Sequence, residues 1–173
     1  MTALDFAAAA RAHGLDGVEY VNTFFQDKAT DFSYLGELRA RAEDHGVQSV
    51  LVMIDAEGEL ATPDAAARRK AVENHFRWIA AASFLGCHAI RVNAAGRGDA
   101  DTMRDHAADS LRRLAELGEG YGVSVVVENH GGLSSDGSWL AAVMERVDHP
   151  NCGTLPDFGN FRIGGDQWYD RYL

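Results

Sequence analysis

The chain has 173 residues, of which 46% are hydrophobic and 24% charged, and its formal net charge is −10. This length and composition are typical of a single globular domain with a sizeable core. The acidic balance, without any run of Lys or Arg, argues against binding to nucleic acid, and no segment approaches the roughly 20 apolar residues that a membrane span needs.

Helices and strands alternate in the predicted secondary structure. The second helix is expected to be capped by Asp31, the third by Thr62 followed by Pro63, and the fourth to start near Asp101. Predicted helices cover residues 4–13, 31–45, 62–85, 101–121 and 138–147. Predicted strands cover residues 18–21, 47–54, 89–93, 123–128 and 152–156. Four helices end in a glycine shortly before a strand, at Gly14, Gly46, Gly86 and Gly122.

This order of elements predicts an α/β fold with a parallel sheet. The strands are apolar on both faces, which indicates a sheet covered by helices. A (β/α)₈ barrel has eight strands and typically about 250 residues, more than this chain offers. The residues alone therefore leave two architectures open: a complete doubly wound sheet of five strands, or the middle of a barrel with both ends missing.

Two acidic residues follow apolar runs in nearly the same way. Glu128 closes the run that begins at Val123, and Asp157 follows the last predicted strand. Both carboxylates are thus predicted at the carboxyl end of a strand, where α/β folds build active sites. A carboxylate there is costly unless a partner binds it, and a hard divalent cation is a suitable partner. The structural alternatives are an ion pair for Glu128 and an Asx turn for Asp157.

Three polar residues accompany these acids. His130 lies two residues after Glu128, so strand alternation predicts both side chains on the same side, which makes His130 a candidate to contact substrate hydroxyls. The alternative is that His130 stabilises the loop at Gly131 and Gly132. Asn129 points the other way and is predicted to be structural. Asn160, in the loop after Asp157, is predicted to order that loop or to bind substrate.

Arg91 and Asn93 share a face near the carboxyl end of the third predicted strand. Either is a candidate to bind a hydroxyl or phosphate group of a substrate. The alternative for Arg91 is an ion pair inside the fold with Glu19 or Glu128. Asp55, at the end of the preceding strand, is predicted to cap a loop.

The remaining reactive residues are predicted to be structural. Cys87 and Cys152 are interpreted as reduced core thiols, which together with an N-terminus unlike a signal peptide predicts a cytoplasmic protein. His75 and Trp78 are predicted to be surface or packing residues. The sequence has no Gly-rich phosphate loop, no Ser-His-Asp set and no paired-Cys zinc motif.

Four segments are similar to those of a known family: Gly17–Tyr20, Val125–Gly132, Trp139–Met144 and Leu155–Asn160. In this order they resemble the sugar phosphate isomerase/epimerase family, whose fold is the xylose isomerase-like (β/α)₈ TIM barrel. The resemblance covers nearly the whole chain. It implies that residues 1–173 form a single partial barrel of about five βα units, strands two to six. The first strand is then expected before Met1, and the seventh and eighth after Leu173.

In that family one divalent metal ion is held by a Glu, an Asp, a His and a second Glu. The resemblance implies that Glu128 and Asp157 are the first two ligands and places the other two beyond Leu173. Oxygen-rich ligation suits Mg²⁺ or Mn²⁺, and an added His also allows Co²⁺ or Zn²⁺. Ketose epimerases of the family use two metal-bound Glu residues as acid and base, which implies a catalytic role for Glu128.

The resemblance thus implies a divalent-metal-dependent isomerase or epimerase that moves a proton next to the carbonyl of a sugar, sugar phosphate or polyol. Two alternatives keep the barrel: a dehydratase of inosose or dehydroshikimate type, and an abasic-site endonuclease, which the net charge disfavours. A third is a catalytically incomplete barrel fragment. An open five-stranded sheet has two unpaired edges, so we expect the isolated chain to be poorly stable or to pair with a second copy.

Overall fold

Helices and strands alternate along the computed structural model, which describes residues 1–161. The strands are Gly17–Val21 (β1), Gln48–Met53 (β2), Ala89–Asn93 (β3), Ser124–Glu128 (β4) and Cys152–Leu155 (β5). The helices are Phe6–Ala12 (α1), Phe32–Asp44 (α2), Ala65–Leu85 (α3), Ala100–Tyr121 (α4) and Gly137–Val147 (α5). Short 3₁₀ helices lie at Ala3–Asp5, Asn22–Lys28 and Gly132–Ser135. The predicted α/β order is confirmed.

The strand order decides between the two architectures that the residues left open. The five strands form one parallel sheet in the order β1-β2-β3-β4-β5, so each strand pairs with the next one along the chain. A doubly wound sheet reverses its strand order about a switch point, whereas a barrel keeps it sequential. Asn93 pairs with Glu128, and Glu128 pairs with Leu155, so β3, β4 and β5 end side by side.

Aspartate side chains start the three long helices. Asp31 caps α2 as predicted, because its carboxylate accepts from the backbone N–H of Tyr34 at 3.1 Å. The predicted cap of α3 is wrong by two residues, because Asp64 caps this helix in place of Thr62. The helix α4 starts at Ala100, next to the predicted Asp101, and is capped by Asp99. In each case a carboxylate outside the helix reaches the first free N–H groups, which is the requirement for a cap.

Alternation along the strands separates a fully buried face from a half-buried one. Val92 and Val127 lie under the helices and are fully buried, while Met53 and Val126 on the opposite face are half-buried. The half-buried face ends in the polar residues that follow the strands. Within residues 1–161, no helix combines the length and hydropathy of a membrane-spanning segment.

The sequence left open whether His75 and Trp78 on α3 are surface residues or packing residues. Both are buried. Trp78 belongs to the main hydrophobic core, and its ring meets that of Phe25 edge-on at a centroid distance of 5.4 Å. They are therefore packing residues of the helix that covers β2 and β3.

Candidate active site at the carboxyl ends of the strands

Arg91 links two carboxylates at the carboxyl edge of the sheet. Its Nε donates to Glu128 Oε2 at 2.5 Å, and its Nη1 donates to Asp55 Oδ1 at 2.8 Å. The side chains of Arg91 and Glu128 are 3% and 11% exposed, so the pair is shielded from solvent. Such charge-assisted bonds fix the acceptor firmly. The bond from Arg91 thus fixes Glu128 through its Oε2 atom. The other oxygen of Glu128, Oε1, faces the loops after β4 and β5.

The prediction that Asp55 caps a loop is wrong. Besides accepting from Arg91, its Oδ1 accepts from Asn93 Nδ2 at 2.9 Å. A buried guanidinium needs compensating charge, and Asp55 supplies it from the neighbouring strand end. Asp55 is therefore part of the polar network around Glu128.

Glu128 and Asp157 converge on one amide group. The Nδ2 atom of Asn160 lies 2.9 Å from Asp157 Oδ2 and 3.3 Å from Glu128 Oε1. The Asx turn considered for Asp157 is also present, because Asp157 Oδ1 accepts from the N–H of Gly159 at 2.8 Å. In each carboxylate, one oxygen accepts a hydrogen bond that fixes the side chain, and the other oxygen faces Asn160 Nδ2, the donor that both carboxylates share.

His130 lies on the same side of the sheet as Glu128, as alternation predicted. Its Nδ1 is 3.3 Å from Glu128 Oε1, and its side chain is 60% exposed. An imidazole in this place can reach both the carboxylate and a bound molecule in the open mouth. The structure thereby brings all the predicted site residues into one network: Arg91, Asn93, Glu128, His130, Asp157 and Asn160.

Two buried asparagines hold the backbone at the acidic strand ends. Asn129 donates from Nδ2 to the carbonyl of Asp157 at 2.8 Å and accepts at Oδ1 from its N–H at 2.7 Å. Asn22 makes the same pair of bonds to the backbone of Asp55, both at 2.9 Å. The structural role predicted for Asn129 is observed. The structural role of Asn22 was not predicted, although Asn22, like Asn129, directly follows a strand.

The two cysteines are free thiols, and burial disfavours their ionised, nucleophilic form. Burial raises the pKa of the Cys87 thiol to about 12 and that of the Cys152 thiol to about 11. A nucleophilic cysteine requires the opposite shift, toward the thiolate. Cys87 also precedes β3 and Cys152 begins β5, so both thiols lie near the amino ends of strands and outside the candidate site.

By themselves, the described residues do not form a complete metal site. Among residues 1–161, no three side chains of His, Cys, Asp or Glu are grouped closely enough to hold a metal ion. Glu128 and Asp157 are two carboxylates that approach the same point, which suits a hard cation as two of its ligands.

Comparison with known proteins agrees with this arrangement of the sheet. The profile of the xylose isomerase-like TIM barrel family matches residues 7–173. The chain belongs to this family. A comparison with curated proteins found no significant match.

Several solved structures resemble the chain in fold. The 3-keto-D-glucoside 4-epimerase YcjR from E. coli is 17% identical, with a TM-score of 0.80 over 95% of this chain and 66% of that one. The probable 3-DHS dehydratase AsbF from Bacillus anthracis is 18% identical, with a TM-score of 0.75 over 99% and 64%. A protein from Mycobacterium smegmatis solved in complex with magnesium is 19% identical, with a TM-score of 0.73 over 92% and 58%.

The chain spans 58–66% of the length of these three structures. Its five sequential parallel strands are a partial barrel, which confirms the predicted fold. At this level of identity, the similarity concerns the fold, and the activity must be argued from the site.

Proposed function

We propose that this chain carries part of the catalytic centre of a divalent-metal-dependent isomerase or epimerase that acts on a sugar, sugar phosphate or polyol. The observation that supports this most is the convergence of Glu128 Oε1 and Asp157 Oδ2 on the single amide nitrogen of Asn160. Two carboxylates held this close favour a cation between them. The family profile matches residues 7–173, and the chain is therefore proposed to form a single partial barrel domain.

Glu128 and Asp157 would hold the metal ion, each through the oxygen that the Asn160 amide now contacts. The remaining ligands would come from outside residues 1–161. When bound, a divalent cation polarises a substrate carbonyl and lowers the free energy of the charge that develops on its oxygen. Mn²⁺ and Mg²⁺ suit a carboxylate-rich set.

Glu128 is the proposed acid or base for the proton on the carbon next to the carbonyl. Arg91 and the backbone of β4 fix its position, so that Oε1 faces the mouth of the sheet. A fixed carboxylate within reach of the carbon is the geometric requirement for proton transfer. His130, Asn93 and Arg91 are proposed to bind substrate, with His130 in the best position to orient a hydroxyl next to Glu128.

A dehydratase is the second candidate, favoured by the similarity in fold to the probable 3-DHS dehydratase. It would share the proton removal by Glu128 and differ in the next step, the loss of a hydroxyl group from the adjacent carbon. Incubation with a ketose in D₂O separates the two. An epimerase exchanges deuterium into the carbon next to the carbonyl of a recovered sugar, whereas a dehydratase forms an unsaturated product.

Titration with Mn²⁺, followed by electron paramagnetic resonance of the free ion, tests the proposed metal pair directly. We expect the chain to bind Mn²⁺, and E128Q and D157N each to weaken binding at least tenfold. The matched control is E43Q, because Glu43 is an exposed carboxylate paired with Arg39 on α2. Equal Mn²⁺ binding by the wild type and by E128Q/D157N would refute the proposal and leave a catalytically incomplete barrel.

A further inference from the structure

The side-chain amide of Asn160 lies between the two carboxylates of the candidate active site. Its Nδ2 atom is 2.9 Å from Asp157 Oδ2 and 3.3 Å from Glu128 Oε1. An amide nitrogen carries two hydrogens, so it can donate to both oxygens at once. Two like charges that approach the same point repel each other, and a donor placed between them offsets that repulsion. Asn160 therefore holds the two carboxylates together.

The chemistry of the neighbours decides which end of the Asn160 amide faces them. An ionised carboxylate only accepts hydrogen bonds, so the amide oxygen in this place would face acceptors alone. The hydrogen-bond network thus assigns Nδ2, and not Oδ1, to the gap between Glu128 and Asp157. The group in the gap carries partial positive charge, as two carboxylates require.

The amide and a divalent cation cannot occupy this gap together. Mg²⁺ binds carboxylate oxygens at about 2.1 Å, which is closer than the 2.9 and 3.3 Å contacts of Nδ2. An ion held by both oxygens would lie where the NH₂ group of Asn160 now lies. The NH₂ group donates hydrogens and offers no electron pair to an ion, so it cannot serve as a ligand in that orientation.

The surroundings of Asn160 allow its side chain to leave while its backbone stays in place. The backbone N–H of Asn160 donates to the carbonyl oxygen of Asp157 at 3.1 Å, and the next residue, Phe161, is buried. The side chain of Asn160 itself lies at a partly exposed position next to the exposed Asp157. Rotation of this side chain toward solvent therefore clears the gap without opening the turn.

We infer that Asn160 is a placeholder for the metal ion: its amide fills the gap between Glu128 and Asp157 and must rotate away before a divalent cation binds. The inference rests on the proposed function and adds a competitor to the proposed metal pair. Competition of this kind lowers the apparent affinity by the fraction of molecules in which the gap is free. If the amide fills the gap in about 90% of the molecules, the affinity is about tenfold weaker.

Titration of the full chain with Mn²⁺, followed by electron paramagnetic resonance of the free ion, tests this competition. N160A removes the amide and keeps the backbone bond to Asp157, so it should bind Mn²⁺ about tenfold more tightly than the wild type. The matched control is Q48A, which truncates an exposed amide at the amino end of β2, on the opposite edge of the sheet. Q48A should bind Mn²⁺ as the wild type does.

The side-chain NH₂ signals of Asn160 in the ¹⁵N-labelled wild type provide a measurement that needs no variant. Saturating Mg²⁺, which is diamagnetic, should move these signals toward those of a free amide and speed their hydrogen exchange with water. The inference is overturned if the signals and their exchange do not change, or if N160A binds Mn²⁺ no more tightly than the wild type. Weaker binding by N160A would make Asn160 a ligand instead of a competitor. Absence of Mn²⁺ binding in both chains would overturn the proposed metal pair as well, whereas equal binding overturns the placeholder alone.

Discussion

Replacing Arg91 by methionine should be the most destabilising single change at the strand ends. The guanidinium is 3% exposed and is the bonded counter-charge of Glu128, whose side chain is 11% exposed. Methionine fills much of the same space but carries no charge. The carboxylate of Glu128 is then shielded from solvent without the counter-charge of Arg91. Breaking a buried ion pair in this way costs about 3–5 kcal/mol. Asp55 loses less, because it is 41% exposed and keeps its bond from Asn93.

The double variant R91M/E128L distinguishes the loss of a counter-charge from a packing defect as the cause of the destabilisation. Replacement of both partners by apolar groups removes the stranded charge, so the double variant should be more stable than R91M although it carries one more substitution. Urea unfolding, followed by tryptophan fluorescence, to which the buried Trp78 and Trp139 contribute, gives the free energies of unfolding.

The exposed pair of Arg39 and Glu43 supplies the control for R91M. Its side chains are 51% and 62% exposed, so R39M should cost less than about 1 kcal/mol. The reasoning is refuted if R91M costs no more than R39M, or if adding E128L to R91M lowers stability further. An R91M chain that is unfolded without urea still permits the test, because the double variant should then regain a cooperative transition.

Three further outcomes are expected. A Cβ at Gly118 would lie 2.4 Å from a backbone carbonyl oxygen, whereas one at Gly120 on the same helix meets nothing within 4 Å. G118A should therefore lower the urea midpoint, while G120A should raise stability by roughly 0.5–1 kcal/mol; the opposite order would contradict the packing of α4. Burial lowers the pKa of His75 in the folded chain, so the unfolded chain takes up more protons below its ordinary pKa of about 6.5. Stability should accordingly fall as the pH drops from 7 to 5, with a smaller fall in H75Q; an unchanged slope in that variant would exclude His75 as the cause. Because burial raises the pKa values of Cys87 and Cys152, iodoacetamide at pH 8 should label both thiols in urea and neither in the native chain, as mass spectrometry can show.

Local sequence signals predicted most elements of the fold, and they failed where two local signals competed. Thr62 with Pro63 is a good helix start in isolation, but Asp64 is the residue whose carboxylate reaches the first free N–H groups of α3. The start of α4, by contrast, lies at Ala100, next to the predicted Asp101. A cap is decided by where the chain turns into the helix, which depends on the preceding loop and on its packing.

At the site, alternation along a strand was sufficient to place Glu128 and His130 on one face, because that pattern is a property of the strand itself. It could not reveal that Asp55 accepts from Arg91, or that Asn22 fixes the backbone of Asp55, because these bonds join different strands. For the same reason, the ion-pair partner of Arg91 stayed open between Glu19 and Glu128.

By itself, the sequence determined the alternation of helices and strands, the parallel sheet and the acidic residues that end its strands, since apolar periodicity and turn residues act over a few neighbouring positions. Only the tertiary structure decided the sequential strand order, the partners of Arg91 and the contact of Asn160 with both Glu128 and Asp157. These features depend on which strand ends lie next to each other, and contacts between residues far apart in the chain form only when the sheet is assembled.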